Sequence, residues 1–87
     1  MMYYYVVYAK SDCPYCVAAI NALGNNGLDY VLVLMDKSPD FALTVKKKYE
    51  HHTVPIVLRY AKSGEMEEFI GGADDLIKQL RQEGYEC

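Results

Sequence analysis

Residues 11–16 have the sequence Ser-Asp-Cys-Pro-Tyr-Cys, which places a proline directly after the first of two thiols three positions apart. A proline in the first helical position lacks only an N–H that would have no partner there, so Pro14 favours a helix that begins directly after Cys13. Unpaired N–H groups and the helix dipole favour an anion at that place, and therefore the thiolate form of Cys13. Cys16 lies one helical turn further in, close enough to attack a mixed disulfide formed on Cys13. We predict that Cys13 is a nucleophilic thiol and that Cys16 resolves its product.

A Cys-x-x-Cys pair has two other common uses. As half of a zinc site it needs two further ligands, and the candidates outside the pair are His51, His52 and Cys87. The two histidines are adjacent rather than about three to five positions apart, which disfavours structural zinc. A purely structural disulfide between Cys13 and Cys16 would close too short a loop to stabilise the fold much. We therefore expect no metal and a redox-active pair.

Length and composition predict a small globular protein without a nucleic-acid surface. Eighty-seven residues fit one domain, 1–87, and an apolar fraction of 52% suffices for a packed core. Nine basic and twelve acidic side chains give a net charge of -3, which does not suit a DNA or RNA partner. Three cysteines, two of them in one motif, fit a reducing compartment, so we expect a cytoplasmic protein.

The two termini carry no predicted targeting signal. Residues 1–9 are apolar but lack a basic region and a small-residue cleavage site, so no signal peptide is predicted. No stretch approaches the ~20 apolar residues of a membrane span, and no membrane partner is expected. Cys87 is expected to be an exposed spare thiol on a frayed C-terminus.

The first part of the chain alternates strand and helix patterns. Tyr3–Ala9 is a run of aromatic and β-branched residues, which predicts a buried first strand. Apolar residues recur at helical spacing from Pro14 until the Gly24–Gly27 stretch ends the pattern. Leu28–Met35 is almost continuously apolar, which predicts a strand covered on both faces and parallel to the first.

A second helix is predicted from Pro39, with Ser38 as its N-cap, and should end near Glu50. Its last turns carry three lysines, residues 46–48, whose charge suits a helix C-terminus. The helix dipole and solvation account for these lysines, so they do not indicate a nucleic-acid partner.

The last part of the chain predicts a hairpin and a third helix. Ile56–Tyr60 and Met66–Ile70 are short strand-like runs with a glycine-containing connection, which is typical of an antiparallel hairpin. Gly71–Gly72 ends the second run, and Asp74 or a neighbour should cap a final helix that ends near Gly84. The predicted order is β-α-β-α-β-β-α.

Three motifs in this order resemble those of the glutaredoxins. They are Lys10 with the Cys-Pro-Tyr-Cys motif, then Thr53-Val54-Pro55, then Gly71-Gly72-Ala73-Asp74-Asp75. The resemblance implies a thioredoxin-like α/β fold with a four-stranded mixed sheet flanked by three helices. It also implies thiol-disulfide exchange on disulfide-containing or glutathionylated proteins, with glutathione as the reductant and a monomer as the active form.

The resemblance further implies where glutathione binds. A cis Pro55 would bring the main chain of Val54 beside the thiols, where it pairs with the cysteinyl part of glutathione. Lys10 would meet the glycine carboxylate. The γ-glutamyl end would meet the main-chain N–H of Asp74 and the carboxylate of Asp75. The implied glutathione-binding residues are Lys10, Tyr15, Thr53, Val54, Pro55, Asp74 and Asp75.

Some positions keep a second interpretation. Many glutaredoxins carry a polar residue on the second helix for the glycine carboxylate; this chain has Ala42 there, and Lys46 is the candidate substitute. Alternatively, Lys10 is an ordinary solvated lysine. Asp74 and Asp75 could likewise serve only to complement the dipole of the third helix. His51 and His52 are interpreted as loop residues, with a cationic contribution to glutathione binding as the alternative.

Two other functions stay open at this point. One is a small redoxin that is reduced by thioredoxin reductase and donates electrons to ribonucleotide reductase; Lys10 and the Gly71–Asp75 segment disfavour it. The other is a non-enzymatic module in which Cys13 of two subunits and glutathione hold an iron-sulfur cluster. Glutaredoxins that do this readily tend to lack a proline at the Pro14 position. We also expect a minimal version of the family that stops after the third helix.

Overall fold

The computed structural model describes residues 2–64 and 67–87. Its elements within these ranges, in chain order, are β1 (Tyr3–Ala9), α1 (Pro14–Asn25), β2 (Tyr30–Leu34), α2 (Pro39–Lys48), β3 (Ile56–Ala61), β4 (Glu67–Gly71) and α3 (Ala73–Gln82). The strands form one mixed sheet in the order β2-β1-β3-β4. The predicted element order and thioredoxin-like fold are confirmed. Met66, the expected start of β4, lies outside the described residues.

The central strand, β1, brings the ends of several elements together. It pairs in parallel with β2, as predicted, and antiparallel with β3. Because β3 runs the other way, its first residue, Ile56, pairs with Tyr8 near the end of β1. The segment that follows β1 and the segment that precedes β3 therefore lie at the same end of the sheet.

The main core lies between the sheet and helices α1 and α3. Val7 and Val57 from the sheet are fully buried there against Leu23 of α1 and Leu76 and Leu80 of α3. Burial of one such aliphatic side chain contributes about 1.5–3 kcal/mol. These contacts hold both helices against the sheet.

The opposite face of the sheet is covered by α2, which packs less closely. Val45 is the buried residue of this helix and joins Met35 and Ile56 in a second, smaller cluster. Pro39 begins the helix and Ser38 is its N-cap, as predicted, although the Ser38 side chain makes no capping hydrogen bond.

The predicted burial of β2 on both faces is wrong. Val31 is 50% exposed and Leu34 56% exposed, because β2 is an edge strand that pairs with β1 alone. The cluster under α2 includes Met35, which directly follows the strand, but most of β2 stays outside it. An apolar run predicts a strand, but not its place in the sheet.

The end of α2 differs slightly from the prediction and sets the direction of the following loop. The helix ends at Lys48 because Glu50 adopts a left-handed conformation with φ of 52°. The main-chain N–H of His51 then donates to the carbonyl of Lys46 at 3.0 Å, which closes the helix end. The chain turns at this point toward the loop before β3.

The cap of α3 is Gly72, two residues before Asp74, so of the predicted candidates a neighbour of Asp74 caps this helix and Asp74 itself does not. The carboxylate of Asp75 accepts a hydrogen bond from the main-chain N–H of Gly72 at 3.0 Å. This contact reaches back three residues and satisfies a donor that the helix itself leaves unpaired. Asp74 lies in the first turn instead.

Cys87 is exposed, as predicted, and the last residues make hydrogen bonds that the sequence did not indicate. The side-chain amide of Asn26 donates to the carbonyl of Glu86 at 2.7 Å and accepts from its N–H at 3.2 Å. Arg81 donates to the carbonyl of Cys87 at 2.9 Å. In the described part of the chain, no helix has the length and apolar character needed to cross a bilayer.

Candidate active site

Cys13 and Cys16 form a disulfide at the beginning of α1, with their Cα atoms 5.2 Å apart. Cys13 is the N-cap of the helix, and its Sγ accepts a hydrogen bond from the main-chain N–H of Cys16 at 3.2 Å. Cys16 is 2% exposed and Cys13 is 7% exposed. Cys13 therefore lies at the positive end of a helix with Cys16 behind it, the arrangement that a nucleophile and a resolving thiol require.

The loop before β3 meets this pair. Its Val54–Pro55 peptide bond is cis, as the resemblance implied. The carbonyl oxygen of Val54 lies 3.8 Å from the Sγ atom of Cys13. The main chain of Val54 is thus available beside the sulfur to an extended ligand.

A cavity of about 300 Å³ opens on one side of this loop, and we name it the α3 cavity. All the predicted glutathione-binding residues except Lys10 line it, together with His51 and the first residues around the α3 N-terminus. The lining residues are Tyr15, His51, Thr53, Val54, Pro55, Gly72, Ala73, Asp74 and Asp75. The structure thus brings together residues that lie up to sixty positions apart in the sequence.

Gly71 allows the main chain to approach the carboxylate of Asp75 at the α3 cavity. Gly71 has φ of +118°, a conformation that side chains rarely adopt, and a Cβ there would collide with the carboxylate of Asp75. Gly72 follows as the N-cap of α3. The Asp75 carboxylate is therefore held at the cavity wall by the close approach of the main chain.

A second cavity, of about 220 Å³, lies on the other side of the loop, and we name it the α2 cavity. Lys10 from the end of β1 lines it together with Lys46, whereas Ala42 contributes only a small methyl group. Val54 lines both cavities, which therefore meet at the cis-proline loop. The α2 cavity thus brings Lys46 to the same cavity as Lys10.

Asp36 is a residue of this region that the sequence did not single out. Its carboxylate accepts hydrogen bonds from the main-chain N–H of Ser11, at 2.9 and 3.0 Å, and from the Ser11 hydroxyl. These hydrogen bonds from Ser11, with the nearby charge of Lys10, hold the pKa of Asp36 below its ordinary value. Asp36 therefore ties the end of β2 to the loop that carries the cysteine motif.

His51 is the other residue whose position the sequence did not predict. Its ring lines the α3 cavity, with Nδ1 at 2.9 Å from the carbonyl oxygen of Thr53. The ring also packs edge-on against Phe69, at 5.9 Å between centroids. His52 is exposed and does not line this cavity. Within residues 2–64 and 67–87, no cluster of three or more His, Cys, Asp or Glu side chains could hold a metal ion.

Comparison with known proteins identifies the family. The family model described as Glutaredoxin matches residues 5–59. A glutaredoxin of Pseudomonas aeruginosa is 32% identical over 71 residues, which cover 82% of this chain and 77% of the relative.

Solved structures agree with this assignment. The dithiolic glutaredoxin 2-C-Grx1 of Trypanosoma brucei brucei has a TM-score of 0.68 at 30% identity, over 92% of this chain and 78% of that one. The NrdH-redoxin of Escherichia coli shares the fold, with a TM-score of 0.62 at 24% identity over 88% and 93% of the two chains. With its Cys13–Cys16 dithiol, the chain belongs to the glutaredoxin family of thiol-disulfide oxidoreductases.

Proposed function

We propose that this glutaredoxin uses glutathione to reduce protein disulfides and glutathionylated cysteines through Cys13 and Cys16. The observation that carries the proposal is the charge pattern of the two cavities that meet at Val54. The α3 cavity offers two acids and a helix N-terminus, and the α2 cavity offers two lysines beside Asp36, whose carboxylate is occupied by its hydrogen bonds from Ser11. Glutathione has the complementary charges at its two ends.

Each part of glutathione has a matching group in this groove. The carboxylate of Asp75 suits the ammonium of the γ-glutamyl end, and the main-chain N–H groups that begin α3 suit its carboxylate. The main chain of Val54 can pair with the cysteinyl residue as an added strand would. Lys10 and Lys46 suit the glycine carboxylate.

The reaction is an exchange of sulfur-sulfur bonds. The Cys13 thiolate attacks one sulfur of a protein disulfide, which forms a mixed disulfide and releases the other sulfur as a thiolate that takes up a proton. Cys16, deprotonated, then attacks the Cys13 sulfur, so the target leaves fully reduced and the Cys13–Cys16 disulfide forms. Two glutathione molecules reduce this disulfide in two exchanges and leave as glutathione disulfide.

A glutathionylated target needs only one of the two cysteines. Cys13 attacks the glutathione sulfur, releases the target thiol and keeps the glutathionyl group. A second glutathione then removes that group as glutathione disulfide. Glutaredoxin potentials of about -200 to -230 mV lie near that of the cellular glutathione pool, so the direction follows the state of the pool.

The test compares wild type, Cys13→Ser and Cys16→Ser with glutathione, glutathione reductase and NADPH as the reducing system. We expect Cys13→Ser to lose activity on both kinds of substrate. Cys16→Ser should keep activity on a glutathione mixed disulfide and lose it on a protein disulfide. Activity of Cys13→Ser above the uncatalysed rate would reject the assignment of the nucleophile.

The choice of reductant separates glutathione from the main alternative. The E. coli NrdH-redoxin is described as a glutaredoxin-like protein with a thioredoxin-like activity profile, and it has the same fold. Turnover with thioredoxin reductase in the absence of glutathione would favour that function, with ribonucleotide reductase as a candidate acceptor. The two lysines of the α2 cavity and Asp75 favour glutathione.

We further propose that residues 1–87 act as one domain and as a monomer in a reducing cytoplasm. Sedimentation of the oxidised and reduced protein tests the oligomeric state. The absorption spectrum of the purified protein tests the alternative in which two subunits hold an iron-sulfur cluster, since such a cluster would colour the protein.

A further inference from the structure

We propose that His51 binds the γ-glutamyl carboxylate of glutathione and makes glutathione binding stronger as the pH falls. The inference rests on the proposed function, because it concerns the same groove. His51 receives a role in binding, and the adjacent His52 receives none. Three features of the α3 cavity carry it: the orientation of the imidazole ring, the group that its free edge faces, and the surrounding charges.

The orientation of the His51 ring is fixed at one nitrogen. Nδ1 lies 2.9 Å from the carbonyl oxygen of Thr53, and a carbonyl oxygen can only accept a hydrogen bond. Nδ1 therefore carries a proton in both charge states of the ring, and Nε2 is the atom that gains or loses a proton. The closed end of α2, where the His51 N–H donates to Lys46, holds the main chain in place.

The Nε2 edge of the ring faces the beginning of α3. Both Nε2 and Cε1 would lie 3.6 Å from a Cβ placed on Gly72, the N-cap of that helix. This is where the proposed function places the γ-glutamyl carboxylate, on the main-chain N–H groups of α3. A protonated His51 adds a donor and a positive charge to that place, whereas a neutral ring presents a lone pair.

The charged groups around the ring come from two elements. From α3, Asp74 and Asp75 line the same cavity, and both attract a positive charge. From the end of α2, the carbonyl groups of the helix terminus also attract it, while the ammonium of Lys46 lines the other cavity. β4 contributes the uncharged ring of Phe69. A bound carboxylate adds one further attraction, so protonation and glutathione binding favour each other.

The experiment measures binding of S-methylglutathione, which cannot exchange disulfides, by titration calorimetry at about pH 5.5 and about pH 7.5, on either side of the usual imidazole titration. We expect the wild-type Kd to be about three- to fivefold lower at the acidic pH, the size typical of one solvated charge pair. His51→Gln should bind at both pH values as the wild type does at the higher one. His51→Lys should bind tightly at both, because its charge does not change in this range.

The adjacent histidine provides the matched control. His52→Gln removes an exposed imidazole that does not line the cavity, so it should keep the wild-type ratio of the two Kd values. An unchanged ratio in His51→Gln overturns the inference and leaves the proposed function intact. An equal weakening at both pH values would show a merely structural role and also overturn it. If wild type binds S-methylglutathione at neither pH, the proposed function itself fails, and this inference with it.

Discussion

The α3 cavity and the α2 cavity lie on the two sides of the cis-proline loop and are constructed differently. At the α3 cavity the proposed binding groups are main chain and a carboxylate held by a hydrogen bond to Gly72. At the α2 cavity the proposed binding groups are the ammonium groups of Lys10 and Lys46 on long side chains. One end thus depends on fixed geometry, and the other depends on charge.

The packing of the two helices follows the same division. Helix α3 buries Ala73, Leu76 and Leu80 in the main core, whereas Val45 is the buried residue of α2. Fixed donors select a ligand by shape, and mobile cations attract any anion of suitable size. We expect the α3 cavity to determine which ligand binds and the α2 cavity to determine how strongly it is attracted.

The largest effect is expected from one methyl group added next to the α3 cavity. Gly71→Ala should lower the free energy of unfolding by at least about 2 kcal/mol, because the residue adopts a positive φ and its Cβ meets Asp75. It should also abolish binding of S-methylglutathione. Urea unfolding and calorimetry measure the two effects.

The matched control adds the same methyl group to a helix. A Cβ on Gly24, within α1, would meet no other atom within 4 Å. Gly24→Ala should therefore raise the free energy of unfolding by about 0.5–1 kcal/mol, since alanine is the better helix former. Equal effects of the two substitutions would show that the main chain at Gly71 does not shape the cavity.

A smaller effect is expected at the α2 cavity. Lys10→Ala and Lys46→Ala should each raise the KM for glutathione up to about fivefold, leave kcat unchanged and lose most of their effect at high salt. Steady-state kinetics at two salt concentrations measure this. Lys47→Ala is the control, because Lys47 is exposed on the same helix and does not line the cavity. A salt-independent loss of kcat would mean that the lysines act on the chemistry.

The smallest effect concerns the contact between Asp36 and Ser11. Because the folded protein lowers the pKa of Asp36, this contact stabilises the protein above the unfolded value of about 4 and is lost as the pH falls through the lower, folded value. Asp36→Asn should therefore lower the Tm slightly at neutral pH and flatten its decrease below about pH 4. Parallel Tm curves for wild type and variant in acid would contradict this role.

Local signals in the sequence predicted the order of the elements and the cysteine pair at the beginning of the first helix. Pro14 and Pro39 each mark the first residue of a helix, and both helices begin there. The glutathione-binding residues came from a resemblance, and the structure gathers them around the loop that contains the cis bond before Pro55. That they bind glutathione stays a prediction.

What the sequence could not predict depends on contacts between distant segments. The edge position of β2 follows from the pairing of the whole sheet. An apolar run does not indicate how many neighbouring strands it will pair with. Ser11 and Asp36 are 25 residues apart, and nothing local indicates that they meet. The orientation of the His51 ring depends on the left-handed conformation of the preceding residue, Glu50. Glutamate is not a residue type that indicates a positive φ in a sequence.

The hydrogen bond from Gly72 to Asp75 has a consequence for how this protein can diversify. Under the proposed function the same carboxylate holds a helix and faces the ligand, so a substitution there changes folding and recognition together, and few replacements can satisfy both. Lys10 and Lys46 have no second structural role, because their removal leaves the packed core untouched. Over evolutionary time, the affinity for the ligand should therefore change through substitutions of the two lysines, while Asp75 stays nearly invariant.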